Sequence, residues 1–222
     1  MTESPTLFLG GHHAVVTGGG RGLGAAIAAA LAAQGADLTL MGRTAAALEQ
    51  HAEVLRRTSG VCVQAIVCDV AEPASVQRAF AEAVRSFGPV RVLVSNAGQA
   101  DAAPFQDIAL ESWDRLIAVN LTGTLLCIQQ VLPAMIAAGA GRIVNLASTA
   151  GLKGYANVAA YCASKHGVVG LMRCAAVHGA DRGVRGCGIG QVVGIDTRHD
   201  KRTQFTGGRS GENAARVATR LR

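Results

Sequence analysis

A chain of 222 residues, half of them apolar and 4% aromatic, is long enough to bury one sizeable core and too apolar to remain disordered. Its formal net charge of +6 sits at one end: residues 1–172 hold 11 Lys+Arg against 11 Asp+Glu, and residues 173–222 hold 10 against 4. A neutral body with a basic end poor in aromatics argues against nucleic-acid binding, and no uninterrupted apolar run reaches the roughly 18 residues of a membrane span. Six scattered cysteines show no C-x-x-C pair and no metal-ligand rhythm, so they read as small apolar fillers, with no metal site expected. The first residues lack a basic n-region and a long apolar stretch. A cytoplasmic setting is therefore expected.

In chain order, HAVVTG (13–18) reads as a buried strand and GAAIAAALAAQG (24–35) as a helix ending at Gly35. DLTLMG (37–42) is a second strand, TAAALEQHAEVLRR (44–57) a second helix and VCVQAIVCDV (61–70) a third strand. The segment 72–88 carries proline in its first turn, as helix starts allow, and VRVLVSNAG (90–98) is a fourth strand with its loop. A long helix from about Glu111 to Ala138 is expected to kink at Pro133. GRIVNLAS (141–148) is a fifth strand, 157–178 a helix, and GCGIGQVVGI (186–195) a candidate sixth strand. Apolar strands alternating with amphipathic helices predict an α/β domain, a Rossmann-like doubly wound parallel sheet with helices on both faces, over residues 1–195. From about Arg173 the composition turns rich in Gly and Arg, and 196–222 reads as an atypical basic tail, loop or disordered, with a short helix near its end.

Two local patterns carry chemistry. TGGGRGLG (17–24) follows the first strand and opens the first helix, where a dinucleotide-binding turn belongs. Gly18 permits the tight turn, Gly22 lets backbone approach a pyrophosphate, and Gly24 allows close helix–strand packing. The helix N-terminus offers free N–H groups and a positive dipole end to phosphate. The second pattern is Tyr161 and Lys165, one turn apart on a single helix face. Such a pair is either a surface contact or a proton donor with an ammonium that favours its phenolate, by up to roughly 4 kcal/mol at about 4 Å in a dielectric near 20.

The spacing Gly-x-x-x-Gly-x-Gly after Thr17 resembles the glycine signature of the NAD(P)-dependent short-chain dehydrogenase/reductase family. NAG (96–98) after the fourth strand, Asp69 after the third, Asn120 in VNLTG, Ser148 thirteen residues before Tyr161, and Tyr161 four before Lys165 follow the family pattern in order. The resemblance spans about residues 10–175. It implies an oxidoreductase that interconverts a secondary alcohol and a ketone, or a 3-hydroxyacyl and 3-oxoacyl thioester, by hydride transfer. Tyr161 would move the proton, Lys165 would tune it and hold the ribose, Ser148 would bind the substrate oxygen, and Asn120 would hold a relay water. The implied cofactor contacts are Thr17, Gly18, Gly20, Arg21, Gly22, Leu23 and Gly24 in the loop, Arg43 after the second strand, Asp69 and Val70 after the third, Asn96, Ala97 and Gly98, and again Tyr161 and Lys165. Tyr155 has Ala159, not a lysine, four residues on, and is expected to line the substrate pocket. His166 is expected to be structural, and a homodimer or homotetramer is implied.

The tip of the second strand reads Gly42-Arg43, with no acid to bind a free ribose; Asp37 is at the wrong end. Arg43, with Arg21, can pair a 2′-phosphate, so NADP(H) is expected over NAD(H). The chain also departs from the family: no proline follows Pro133, so the Pro-Gly turn after the sixth strand is missing, and Thr197 is a weak candidate for the threonine that follows it. The compositional change near Arg173 looks like a shifted reading frame or an alternative ending. Two readings follow: an active reductase or dehydrogenase, or a catalytically impaired relative that binds only nucleotide or partner subunits.

Overall fold

The computed structural model describes residues 7–180 and 182–189. Strands β1 (His13–Thr17), β2 (Asp37–Gly42), β3 (Val63–Val67), β4 (Val90–Ser95), β5 (Gly141–Leu146) and β6 (Val184–Ile189) form one sheet in the order β3-β2-β1-β4-β5-β6. Every neighbouring pair is parallel. The crossovers are α1 (Gly22–Ala32), α2 (Ala45–Ser59), α3 (Pro73–Phe87), α4 (Leu110–Ile117) running into α5 (Gly123–Ala137), and α6 (Ala159–Ala180). The expected doubly wound α/β sheet is thus present.

Strand alternation divides the core into two layers. Val16, Leu38, Leu40, Val92 and Val94 meet Ile27, Leu31, Leu48 and Leu55 of α1 and α2 on one face. Val15, Met41, Ile66 and Leu93 meet Phe80 of α3 and Ile128, Val131 and Met135 of α5 on the other. Side chains that alternate along buried strands require helices on both sides, because either face left bare would expose a continuous apolar surface.

α5 carries Pro133 in its interior and continues to Ala137, and a π-helical turn over Ala118–Thr122, not expected from the sequence, precedes it. The 28-residue helical run Leu110–Ala137 contains an 18-residue stretch with a mean hydropathy of 1.5, long and apolar enough to cross a membrane by length and composition alone. Its Leu116, Val119, Cys127, Ile128, Val131 and Met135 are buried in the molecule, which accounts for that apolar content. At the chain's end the expected helix and candidate sixth strand are both present: α6 runs to Ala180, and β6 pairs with β5 from Gly141↔Val184 to Leu146↔Ile189. β6 begins two residues before the predicted sixth strand; residues 190–195, Thr197 and the tail from 196 lie outside the described residues.

His13, which opens β1, is 2% exposed. Its Nδ1–H donates to Gly88 O at 2.8 Å, and its Nε2 faces Thr39 Oγ1 at 2.9 Å. Gln64 Nε2 donates to the same threonine oxygen at 2.7 Å, so the chain of contacts ties β3, β2, β1 and the α3–β4 turn together. Burial lowers the imidazole pKa below 6.5, against the opposing pull of the Gly88 hydrogen bond and Asp37. A histidine held neutral in the fold but free to protonate when unfolded stabilises the fold above its unfolded pKa, and that contribution is lost as pH falls below it. Urea unfolding at pH 7 and pH 5 should therefore show lower stability at pH 5, with a smaller difference in His13→Asn. An equal pH dependence in the two proteins would refute the assignment.

Candidate active site

Strand order reverses between β1 and β4, and a crevice opens there at the carboxyl ends of the strands, the usual ligand position in an open α/β sheet. The glycine-rich loop forms its floor. Gly18 sits at φ +67°, and a Cβ there would come within 2.8 Å of Asn96 Nδ2. A Cβ on Gly24 would run into Gly18 O, so α1 packs onto the turn only without a side chain. Gly22, at φ +57°, begins α1 with open space where its side chain would be. The first turn of α1 carries no acid, leaving its unpaired N–H groups free to meet an anion.

The NAG turn is stitched to this loop. Thr17 Oγ1 accepts from the amides of Asn96 and Ala97, each at 3.0 Å, while Asn96 Nδ2 donates to Thr17 O at 3.0 Å and Gly18 O at 3.3 Å. Thr17 and Asn96 therefore shape the crevice by joining β1 to β4. Gly20 lies against α2, where a Cβ would be 3.2 Å from backbone atoms of Ala47 and Leu48.

The crevice has two compartments. The outer one, of about 190 Å³, has Gly18, Gly20, Arg21, Arg43, Asp69 and Val70 in its wall, with Ala97 and Gly98 closing it. Asp69 Oδ1 accepts from Ala71 N at 3.0 Å, which fixes the carboxylate at the β3 turn. Arg21 and Arg43 are exposed at the rim. The inner compartment, of about 290 Å³, has Leu23, Gly98, Gln99, Ser148, Tyr161 and Lys165 in its wall. Gly98 and Gln99 belong to both, so one continuous groove runs from the Arg43 rim to Tyr161.

Lys165 is 6% exposed, and its Nζ donates to Leu146 O at 2.6 Å, 5.7 Å from the Tyr161 ring centroid. Burial pushes its pKa down to about 8. Ser148 is the N-cap of a 3₁₀ turn over Thr149–Gly151, its Oγ accepting from Ala150 N at 3.2 Å. That turn lies on α6, since a Cβ at Gly151 would be 2.7 Å from Lys165 O. Packing thus brings Ser148, Tyr161 and Lys165 to one compartment from β5 and α6.

Asn120 sits in the π-helical turn, 1% exposed. Its Oδ1 accepts from Gln99 N at 2.8 Å; its Nδ2 donates to Gln99 O at 2.9 Å and Ser164 Oγ at 3.0 Å. Ser164 Oγ in turn donates to Tyr161 O at 2.8 Å. Both amide hydrogens are used, and Thr124 Oγ1 donates to Asn120 O at 2.7 Å. The side chain is therefore a clamp joining the NAG loop to α6. Two participants were missed at the level of sequence. Ser164 stands inside YCASK and could have been found as the residue one turn from Tyr161 on the buried face; Gln99 acts through its backbone, which no side-chain pattern reveals.

Tyr155 is 44% exposed and stands outside the inner compartment, its hydroxyl donating to Thr149 Oγ1 at 2.9 Å and Lys153 Nζ lying 4.9 Å from its ring centroid. His166 is exposed, with Nδ1 bonded to Cys162 O at 2.9 Å within its own helix, a structural contact.

The sheet order, glycine loop and groove define a dinucleotide-binding Rossmann domain. Residues 12–204 match the family model for short chain dehydrogenases, and the chain belongs to that family. The match extends beyond Arg173, so the compositional change there is not the limit of family likeness. The chain is 42% identical to the D-threitol dehydrogenase of Mycolicibacterium smegmatis over 177 residues, 80% of this chain and 68% of that one. It is 39% identical to the sorbitol dehydrogenase of Cereibacter sphaeroides over 195 residues, 86% of this chain and 73% of that one. A solved NAD+-bound xylitol dehydrogenase superposes with a TM-score of 0.77 at 36% identity, covering 81% of this chain and 71% of that one. Against curated relatives the chain spans between 63% and 75% of their length.

The residues present fit an NAD(P) cofactor. A positive-φ glycine turn, an acid-free helix start with open space at Gly22, and a groove joining the Asp69 end to the Lys165 end make a cradle of matching shape and charge.

Proposed function

We propose that the protein is an NADP(H)-dependent oxidoreductase that interconverts a secondary alcohol and a ketone, with Tyr161 moving the hydroxyl proton. The observation that carries this reading is the convergence of the Ser148 hydroxyl, the Tyr161 phenol and the buried Lys165 ammonium on a groove continuous with the glycine loop. Bound nicotinamide would supply or accept the hydride. Gly18, Gly22, Leu23 and Gly24 hold the pyrophosphate side, and Asp69 and Val70 the adenine side. Ser148 orients the substrate oxygen, and Tyr161 donates a proton to that oxygen in reduction or takes it in oxidation. Lys165 holds positive charge beside the phenol and toward the ribose, while Asn120 and Ser164 fix the helix turn that carries both.

Two of the relatives above are named for polyols, which makes a polyol or a related secondary alcohol the first substrate class to try. The test is purification followed by turnover measurements with both cofactors against a panel of polyols, hydroxy acids and ketones. Folded protein that binds nucleotide without turning over any member of the panel would support the impaired-relative reading instead. Exposed Phe105, Leu110 and Leu125 on and beside α4 and α5 support a homodimer or homotetramer, which light scattering on the same preparation would check.

The cofactor preference rests on Arg43 and Arg21 at the groove rim, beside a Gly42 tip that carries no carboxylate. An arginine paired with a 2′-phosphate makes charge-assisted bonds worth about 1.5–3 kcal/mol. Arg43→Ser should raise the KM for NADP(H) about 10- to 100-fold and leave that for NAD(H) nearly unchanged. A wild-type protein that prefers NAD(H) would overturn this part of the reading.

A further inference from the structure

We propose that His51 is a positioning residue for dinucleotide binding, acting through Gly19 to hold the Gly18–Gly20 run in its binding shape. The inference rests on the nucleotide-binding reading of the groove. Three consecutive glycines form the most freely rotating backbone a chain can have, and ordering them opposes binding unless the fold does it beforehand. The amides of Gly18 and Gly19 donate to Met41 O at 2.7 and 3.2 Å. The Gly19 carbonyl is taken by His51 Nδ1 at 2.8 Å; a carbonyl only accepts, so that nitrogen carries the proton. His51 is half-buried on α2, one turn beyond Ala47 and Leu48, whose backbone presses on Gly20. Thus β2 and α2 contact all three glycines, His51 through a side-chain hydrogen bond to Gly19, while Asn96 Nδ2 reaches Gly18 O from the β4 end. Arg43 and Thr44 lead into the same helix and reach the groove rim, so α2 couples the loop's shape to the rim.

The imidazole itself is outside the groove wall, so its influence on a ligand passes through Gly19. Leu and Asn share one branched shape, and Asn keeps a donor near the Nδ1 position; the pair isolates the hydrogen bond. His51→Leu is expected to weaken NADP+ and NAD+ alike, about three- to ten-fold by calorimetry. KM for cofactor should move by the same factor and kcat at saturation by less. His51→Asn is expected to bind within about two-fold of wild type. Leucine favours helix more than asparagine, so a purely structural role predicts the reverse ranking, with the Leu variant the better protein. Should His51→Leu fail to fold, His51→Phe is the donor-free variant, and a folded His51→Asn that loses affinity overturns the proposal by itself. Affinity within two-fold of wild type in a donor-free variant also overturns it, while a wild type that binds neither cofactor overturns the nucleotide reading beneath it.

Discussion

Tyr161→Phe is expected to lower kcat about 10²- to 10⁴-fold while leaving cofactor affinity within about two-fold. Phenylalanine keeps the aromatic face near Lys165, whose Nζ stands 5.7 Å from the ring centroid, and removes only the hydroxyl. Helix packing and the groove wall are therefore preserved, and what disappears is the group that exchanges a proton with the substrate oxygen. Steady-state rates with the best substrate from the panel, together with calorimetric binding of the cofactor, separate the two effects. Turnover within ten-fold of wild type would remove Tyr161 from the chemistry.

Lys165→Met should separate stability from activity. Burial holds the ammonium pKa at about 8, below the 10.5 of a free lysine. Between those values the unfolded chain binds the proton and the folded chain releases it, so stability rises with pH across that window. Below pH 8 the buried charge opposes folding by about 3 kcal/mol, the free-energy equivalent of the shift. Methionine fills similar space without the charge and gives up one hydrogen bond to Leu146 O, worth about 1 kcal/mol. The variant should be at least as stable as wild type at pH 7, lack the wild type's gain between pH 8 and 10.5, and lose kcat/KM about 100-fold or more. A variant that is less stable at pH 7, or that keeps its activity, contradicts this account of Lys165. Retaining a destabilising buried ammonium is the kind of compromise that binding and catalysis impose on a fold.

The fold was legible because strand and helix periods are local. Runs such as HAVVTG and VRVLVS are mostly apolar, as strands covered on both faces tend to be, and they became β1 and β4 within a residue or so of expectation. The long helix was legible as a helix but not in its detail. Pro133 lies exposed inside α5, and the π-helical turn at Ala118–Thr122 has no local marker. That turn seats Asn120 where Gln99 and Ser164 can saturate its amide, a tertiary requirement. Past Arg173 the expected helix and candidate sixth strand both form, held by pairing of β6 with β5 and by burial of Val184 despite a Gly- and Arg-rich sequence.

The amino-acid order alone determined the parallel α/β class, the glycine turn and the one-turn spacing of Tyr161 and Lys165, since each depends on neighbours within about a turn or a strand. Tertiary structure decided how deeply Lys165 is buried, that Asn120 serves as a clamp, that Tyr155 stands outside the groove, and that His51 reaches back to Gly19. Those facts depend on where β5, α6, α2 and the glycine loop meet in space. Burial and hydrogen-bond partners are set by segments tens of residues apart, so no local pattern could carry them.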